Sequence, residues 1–349
     1  MPIRVLHFSD AHIGIEAYGH FDPATGLNSR FIDFTRTLDR IVDAAIEREV
    51  DLVLFTGDAY RSRDPSPTQQ RAFAARVRRL SEASIPVFLL VGNHDRPNSY
   101  GRAHSVDIFQ TLGVKGVTIA ERPETIELQT RRGPVQITAL PWLPRSFALA
   151  REAERKLTPD EAKQALTGKI VAFLREQAES IDRRRPAILA AHYPVEGATY
   201  STGAGTLLGA DITLPRGEIA NEAWDYVALG HIHKHQVVSH LPPAVYAGSI
   251  ERVDFGEEND RKGYVVVELD AECTTWKFEE IETRRFVTVD VDAGDTMPRV
   301  KVRRGGSTIP AKNVVGVLEG HGKLANETVV IGAHYDHVGY GGANSLARS

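Results

Sequence analysis

Short apolar runs alternate with amphipathic stretches over the first part of the chain. Residues 3–8 form a run of strand-forming side chains, and residues 52–55 and 87–91 repeat it. After the first run, apolar residues recur every three or four positions, which predicts a helix through Phe31, Phe34, Leu38, Ile41 and Ala45. A second helix is predicted through Phe73, Val77 and Leu80. This alternation is typical of a layered α/β sheet.

The alternation of predicted strands and helices continues to about residue 229, and β-rich runs follow it. A long polar helix is predicted from about residue 159 to 181, and buried strands are predicted at 187–191 and 226–229. From Val245 onward the apolar runs are more typical of β-hairpins than of crossovers. Near Asp290 the character changes again, toward a basic stretch and further β-like runs. We therefore expect a main α/β domain followed by a β-rich extension.

Composition narrows the class of protein. The 349 residues are 42% hydrophobic and 25% charged, which excludes a disordered, collagen-like or disulfide-stapled chain. The formal charge of −4 does not indicate a nucleic-acid binder, so any phosphate binding must be local. Cys273 is the single cysteine, and no apolar run approaches the ~20 residues needed to span a membrane. We expect a soluble cytoplasmic protein without an export signal.

Metal-capable side chains follow five of the predicted strands. Loops at the carboxyl ends of strands are where α/β sheets assemble their sites, so we expect these side chains to converge. Each of these motifs alone is more typical of a turn or a helix cap. Five such motifs in this order, each after a predicted strand, favour a single metal centre. They are Asp10 and His12, Asp58, Asn93 and His94, His192, and His231 and His233.

The ligand types indicate the chemistry. Carboxylate, imidazole and amide ligands without cysteine favour a borderline ion such as Mn²⁺. Seven ligands are too many for one ion, whereas two ions ~3.5–4 Å apart with Asp58 as the bridge accommodate them and match a hydrolytic phosphoester site. Two divalent ions carry four positive charges, and Asp10 with Asp58 remove two of them. The remaining net charge of +2 would hold an anionic phosphodiester.

The order of these motifs resembles that of the calcineurin-like metallophosphoesterases. The segments at residues 7–14, 57–67 and 246–257 further resemble the DNA-repair exonuclease subunits of the SbcD type, and the likeness extends over roughly residues 1–290. The third segment, Tyr246 to Glu257, is the most discriminating, because general phosphomonoesterases of the superfamily are not expected to carry it. The resemblance implies an α/β sandwich of two mixed β-sheets flanked by helices.

The resemblance also implies roles for individual residues. One metal would be held by Asp10, His12, Asp58 and His233, and the other by Asp58, Asn93, His192 and His231. The non-ligand His94 would protonate the leaving alkoxide or orient the scissile phosphate. A hydroxide activated by the two metals would attack phosphorus in line.

Two departures from the family pattern stand out. Some members carry a second catalytic histidine three residues after the bridging aspartate, where this chain has Arg61, so the balance of exonuclease and endonuclease action stays open. The family also continues into a cap domain and helices that bind the SbcC ATPase, and neither is recognisable in this sequence.

The last part of the chain resembles something else. Residues 312–320 and 329–339 are similar to the start of a zinc aminopeptidase domain, in which His334 would bind zinc and Asp336 would orient it. The other ligands would lie beyond Ser349, so we do not expect peptidase activity. The predicted domains are residues 1–282 for the nuclease, 283–298 for the start of a truncated cap, and 299–349 for a non-catalytic, peptidase-like fragment, interpreted as an incomplete β-rich extension.

The sequence favours a manganese-dependent DNA exonuclease or endonuclease acting on double-stranded ends or hairpins. SbcC-type ATPase binding and a homodimer are expectations that come from the family. Three alternatives stay open at this point: a phosphodiesterase for nucleotides or small esters, an inactive DNA-end scaffold, and a metallopeptidase.

Overall fold

A computed structural model describes residues 1–97, 102–144, 157–201, 212–270 and 273–287, together with the backbone of strands between residues 300 and 334. It separates the chain into two compact units, Met1–Val287 and Thr288–Ser349. The first unit contains all the candidate site residues of the predicted nuclease.

The helices of the first unit begin at residues that satisfy their free N–H groups. Asn28 accepts a hydrogen bond from the N–H of Arg30, while Ser66 and Thr158 each form a reciprocal capping box. Proline follows directly at the first helical position of the two capping-box helices. The helices are α1 (Ser29–Glu47), α2 (Pro67–Glu82), α3 (Ile108–Thr111), α4 (Pro159–Ser180) and α5 (Arg216–Ile219), with a 3₁₀ turn at Phe255–Glu257.

The first sheet is mixed, with six strands among the described residues. Four strands run parallel, and the last two in sequence add antiparallel at one side. Val5 lies opposite Leu52 in the parallel pair at the centre. In spatial order the strands are β14 (Thr275–Glu280), β13 (Gly263–Leu269), β1 (Ile3–Phe8), β4 (Leu52–Phe55), β5 (Val87–Leu90) and β6 (Val117–Ala120).

The second sheet also has six strands in the described part of the chain, with its antiparallel strands placed differently. Its four central strands are parallel, and one antiparallel strand closes each edge. In spatial order they are β11 (Gln236–His240), β12 (Pro243–Tyr246), β10 (Tyr226–Gly230), β9 (Ala187–His192), β8 (Gly133–Leu140) and β7 (Glu124–Thr130).

The two sheets pack face to face through alternate side chains of their strands. Leu54 and Phe88 of the first sheet lie in the same buried cluster as Ile188 and Ala228 of the second. Successive residues of a strand point to opposite faces, so the neighbour Phe55 lies in a different cluster, under α1 and α2. Both faces of the central strands are covered, which explains their continuous apolar runs.

Helices cover the outer face of each sheet. Apolar residues of α1 and α2 pack on the first sheet, and Leu166, Ile170 and Leu174 of α4 pack on the second. The layers are therefore helix, sheet, sheet and helix. This arrangement confirms the predicted fold class of two mixed sheets flanked by helices.

The remaining strands form short antiparallel pairs. β2 (Phe21–Asp22) pairs with β3 (Leu27–Asn28) in the first unit. In the second unit, β15 (Val300–Arg304) pairs with β16 (Ser307–Ala311), and β17 (Asn313–Glu319) with β18 (Thr328–His334). The predicted boundaries of the cap and peptidase-like segments stay predictions, and Asp336 lies outside the described residues. Among the described helices, none is both long and apolar enough to cross a bilayer.

The layer between the sheets should dominate stability. Phe88 is completely buried there, so Phe88→Ala is expected to lower the free energy of unfolding by about 3–5 kcal/mol. The same change at Phe21, which is 68% exposed, should alter it by less than about 0.5 kcal/mol. Urea unfolding followed by circular dichroism measures both, and equal effects would contradict the assigned core.

Candidate metal centre

The loops that follow five parallel strands meet at one edge of the two sheets. β1, β4 and β5 contribute from the first sheet, and β9 and β10 contribute from the second. The N–H groups of Asp10 and His12 donate to the carbonyls of Gly57 and Asp58, both at 3.0 Å, so the first two loops run side by side. The N–H of His231, from the second sheet, donates to Oδ2 of Asp10 at 3.1 Å. Both sheets therefore supply the same cluster.

Several of these residues have a left-handed backbone that side chains rarely adopt. The φ angles are +52° at Asp10, +41° at His12, +62° at Asp58 and +90° at His231. Such conformations cost of order 1–3 kcal/mol each and persist only where surrounding contacts impose them. The backbone hydrogen bonds between the loops are such contacts. They turn the side chains of these residues back over the sheet edge.

Two glycines allow the loops to approach closely. A Cβ on Gly92 would lie 2.1 Å from Oδ1 of Asp58 and 2.5 Å from its backbone nitrogen. A Cβ on Gly57, whose φ is +103°, would lie 2.5 Å from Nδ1 of His192. Any larger residue at either position would displace a candidate ligand.

Asp10, His12 and His233 form one group of donors. The Nε2 atoms of His12 and His233 are 2.9 Å apart. Oδ1 of Asp10 is 3.8 Å from Nε2 of His12 and 4.0 Å from Nε2 of His233. Two ring nitrogens bound to one ion at about 2.1 Å and at a right angle lie about 3 Å apart. The spacing of these imidazoles therefore suits a shared cation.

Asn93, His192 and His231 form a second group. Oδ1 of Asn93 is 3.0 Å from Nε2 of His192 and 3.0 Å from Nδ1 of His231. Nδ1 of His192 donates to the carbonyl of Thr56 at 2.6 Å, so its Nε2 is the nitrogen aimed at the oxygens of the group. Trp142 stacks on the ring of His231 with centroids 5.3 Å apart and limits its rotation.

The Asp58 carboxylate lies between the two groups. Its Oδ2 is 3.7 Å from Nε2 of His12 and 3.4 Å from Nε2 of His192. Three sets of side chains have ligand atoms within 4.8 Å of one another and could hold an ion: Asp10, His12 and His233; His12, Asp58 and His94; and Asp10, Asp58 and His192. The structure thus brings together all eight residues singled out from the sequence.

His94 lies at the outer side of this cluster and is half-buried. Its backbone N–H donates to Oδ1 of Asp58 at 2.8 Å, and its Nδ1 lies 2.6 Å from the carbonyl of Arg61. A carbonyl oxygen only accepts hydrogen bonds, so Nδ1 carries the hydrogen and Nε2 stays available to a substrate. The ring stands edge-on to that of His12, with centroids 5.0 Å apart.

Asp95 holds the loops together, a role that the sequence pattern does not reveal. Its buried carboxylate accepts from the N–H groups of Asp58 and Gly92 at 2.8 and 3.0 Å. It also accepts from the N–H of Ala59 and the hydroxyl of Ser105, at 3.0 and 3.1 Å. In the sequence, the position of Asp95 directly after His94 is what points to this residue. Only the fold shows that the Asp95 carboxylate contacts a different loop.

Glu257 is a second residue to which the sequence analysis assigns no role. Its Oε1 accepts from Nδ1 of His233 at 2.7 Å, which leaves Nε2 of that ring facing His12. Its Oε2 lies 2.6 Å from the buried Lys262 ammonium, which also donates to the carbonyl of His233 at 3.0 Å. A carboxylate behind a histidine fixes its tautomer and raises its strength as a ligand. Glu257 lies at the end of the segment at residues 246–257. The sequence identifies that segment by its resemblance to SbcD-type proteins and does not indicate a role for this carboxylate.

Opposing charges shift the pKa values across this cluster. Burial opposes ionisation of Asp58, but the charges of His192, His94 and His12 outweigh it and hold its pKa well below the usual value. Burial alone would lower the pKa of His192, yet the Asp58 carboxylate beside it raises that pKa to about 9. Burial alone would raise the pKa of Glu257. The positive charges of His233 and Lys262 outweigh this effect and hold that pKa well below its usual range.

The donor set fits divalent cations. Carboxylate, imidazole and amide atoms face one another at close range, and each can offer a lone pair to an ion once any proton on it has left, as at the Nε2 of His192. Such hard and borderline ligands suit Mn²⁺, Mg²⁺ or Zn²⁺. Among the described residues, the cysteine Cys273 is exposed and takes no part in the three metal-capable sets.

Comparison with known proteins agrees with this geometry. A family model described as calcineurin-like phosphoesterase matches residues 3–235. The DNA double-strand break repair protein Mre11 of Haloferax volcanii is 28% identical over 333 residues, covering 94% of this chain and 64% of that protein. Mre11 of Sulfurisphaera tokodaii is 22% identical and covers 86% of this chain and 68% of its own. The SbcD component of the SbcCD nuclease from Staphylococcus saprophyticus is 23% identical, with coverages of 82% and 71%.

These relatives confirm the predicted likeness to phosphoesterases and to SbcD-type nucleases. The chain spans slightly less than two thirds of the length of the Haloferax protein. That alignment leaves only 6% of the chain, about 21 residues, unmatched, so it includes part of residues 299–349. Nothing among these relatives supports the peptidase interpretation of that segment.

Metal binding should release protons. Because the pKa of metal-free His192 is raised to about 9, its ring is protonated at pH 7 and must lose that proton to bind a metal. The apparent Mn²⁺ affinity should therefore rise about tenfold per pH unit for each proton displaced, up to about pH 9. Isothermal titration in buffers of different ionisation enthalpy measures this release, and a constant affinity from pH 7 to pH 9 would contradict it.

The Glu257 carboxylate should strengthen a metal site at His233. Glu257→Gln is expected to weaken Mn²⁺ binding about 10- to 100-fold, measured by calorimetry, because the ring loses its charged acceptor. Glu282→Gln, which removes the same charge at an exposed position, is the control. Thermal unfolding of each variant reports any loss of folding caused by the unpaired Lys262, and the double change Glu257→Gln/Lys262→Met removes that complication. Unchanged affinity in folded variants would remove this role.

Proposed function

Because the chain belongs to the calcineurin-like phosphoesterase family, we propose that it is a divalent-metal-dependent DNA nuclease that hydrolyses phosphodiester bonds. The observation that carries the proposal is the donor cluster around Asp58, which gathers carboxylate, imidazole and amide atoms from five strand ends. The choice of DNA as substrate rests on the similarity to the DNA repair protein Mre11 and to the SbcCD nuclease subunit.

The proposed cofactors are two divalent ions, with Mn²⁺ as the physiological choice. Asp10, His12 and His233 would hold one ion, Asn93, His192 and His231 would hold the other, and Asp58 would bridge them. Ions at these positions would supply a nucleophile at neutral pH and neutralise charge that develops on the phosphoryl oxygens.

His94 is the proposed proton donor. Its Nδ1 hydrogen is engaged by the Arg61 carbonyl, so Nε2 is the atom that would face the leaving group. Its backbone N–H is held by Asp58, which fixes the distance between this imidazole and the bridging carboxylate. The imidazolium form of His94 carries a second hydrogen on Nε2, and transfer of that proton to the leaving alkoxide, with Nδ1–H retained, would complete cleavage of the strand.

The buried carboxylates behind the cluster would keep this geometry ready. Asp95 holds the loops of Asp58 and Gly92 together, and Glu257 holds the ring of His233. Preorganised groups of this kind need little rearrangement when the substrate binds.

The setting of the activity is also a proposal. We propose double-stranded ends or hairpins as substrates, an ATPase of the SbcC type as a partner, homodimer formation and action in the cytoplasm. These follow from the likeness to SbcD-type nucleases.

The proposal predicts a separation between metal binding and catalysis at His94. His94→Ala should retain the bound metals and lose 10²- to 10⁴-fold of its DNA hydrolysis, because only the proton transfer is removed. Nucleotide release from end-labelled duplex DNA with Mn²⁺ measures activity, and elemental analysis measures metal content. His240→Ala, at an exposed histidine on β11, is the matched control.

The outcomes distinguish the candidate functions. Mn²⁺-dependent DNA digestion that disappears in His94→Ala supports the nuclease. Hydrolysis of a small phosphodiester without DNA digestion would replace it with a small-ester phosphodiesterase. DNA binding without turnover of either substrate would indicate a scaffold, and normal digestion by metal-replete His94→Ala would remove the role of that residue.

A further inference from the structure

A cavity of about 610 Å³ is lined in part by His94. Its lining includes three arginines, Arg61, Arg63 and Arg102, and one acidic residue, Asp64. All four side chains are exposed to solvent. Three positive charges and one negative charge leave a net charge of +2 in the lining, on a chain whose total formal charge is −4.

The contacts of the three guanidinium groups determine whether they can bind an anion. Many other arginines in the described part of the chain form ion pairs, as Arg79 does with Asp43 and Arg184 with Asp182. Among the described residues, the side chains of Arg61, Arg63 and Arg102 form neither an ion pair nor a hydrogen bond. Exposed cations without internal partners remain available to an anion from solution.

The cavity begins where the proposed reaction would take place. His94 is part of its lining, and Nδ1 of His94 lies 2.6 Å from the backbone carbonyl of Arg61. The same histidine donates its backbone N–H to Oδ1 of Asp58. A strand with one phosphate at the metal centre would therefore place a neighbouring phosphate near this cavity.

The chemistry of arginine suits that neighbour. Guanidinium presents several N–H donors in a planar fork that matches two phosphate oxygens, and its charge does not titrate in the working pH range.

We propose that Arg61, Arg63 and Arg102 bind a second phosphate of the DNA strand, adjacent to the phosphate that is cleaved. This inference rests on the proposed nuclease function and deepens it, because the cavity would favour a polynucleotide over a small phosphodiester. A small diester has no second phosphate to place there. Asp64 would repel the same phosphate and weaken binding.

The test measures equilibrium binding without turnover. Fluorescence anisotropy of a labelled duplex is recorded with the full chain in EDTA over a series of salt concentrations. The double variant Arg63→Ala/Arg102→Ala should lose about tenfold or more in affinity. Its plot of log affinity against log salt should become shallower by up to about 0.9, since the three arginines bind one phosphate and each neutralised phosphate contributes about 0.9. Asp64→Asn should bind more tightly than the wild type.

Arg183→Ala/Arg184→Ala is the matched control. Both arginines are exposed and lie in the loop that precedes β9, at the opposite end of that strand from His192. Their removal takes the same two positive charges from the chain at a distance from the cavity. If the affinity of Arg63→Ala/Arg102→Ala lay within twofold of that of this control, with the same salt slope, the proposal would be overturned. A decrease in affinity upon Asp64→Asn would also overturn it.

A parallel assay separates this inference from the proposed function. With Mn²⁺, the double variant should lose at least fivefold more kcat/KM on DNA than on a small phosphodiester. Equal losses on the two substrates would overturn the cavity proposal while leaving the nuclease intact. Absence of DNA cleavage by the wild type would instead remove the nuclease function, and the binding measurement would still test the cavity.

Discussion

Mutual repulsion of lone pairs around the Asp58 carboxylate is the constraint on which this edge of the molecule depends. Oxygen and nitrogen acceptors from both sheets point at one another over less than 4 Å, and such an arrangement needs positive charge to be stable. Protons supply it in part, which is why the pKa of His192 is raised to about 9. Divalent ions would supply it more completely. This repulsion between acceptor atoms destabilises the metal-free fold, and it also favours the binding of cations at the cluster.

Two buried carboxylates keep the repelling groups in place. Asp95 collects backbone N–H groups from the loops of Asp58 and Gly92, and Glu257 with Lys262 anchors His233. The left-handed backbone at the candidate ligands is tolerated because these contacts over-determine it. The rigid sandwich beneath provides the fixed strand ends. The strained loops therefore depend on the stability of the packed sheets that hold the strand ends.

Charge is distributed unevenly over the surface. A net charge of −4 would repel DNA on average, yet the arginines beside His94 form a local positive region. Many other cations in the described part of the chain are paired with nearby carboxylates, as Arg79 is with Asp43. Local placement therefore determines what the surface can attract, and the summed charge does not.

The sequence by itself determined the fold class and the set of candidate ligands, because apolar runs, glycine turns and the residue types after each strand are local properties. It could not determine that Asp95 and Glu257 support those ligands, since each contact joins segments far apart in the chain. The meeting of Asn93 from β5 with His192 from β9 likewise required the two sheets to pack. Only the tertiary structure decides which distant side chains become neighbours, because that depends on how the segments pack. These neighbours in turn set the burial and the local charge, and therefore which groups hold protons and which arginines form ion pairs.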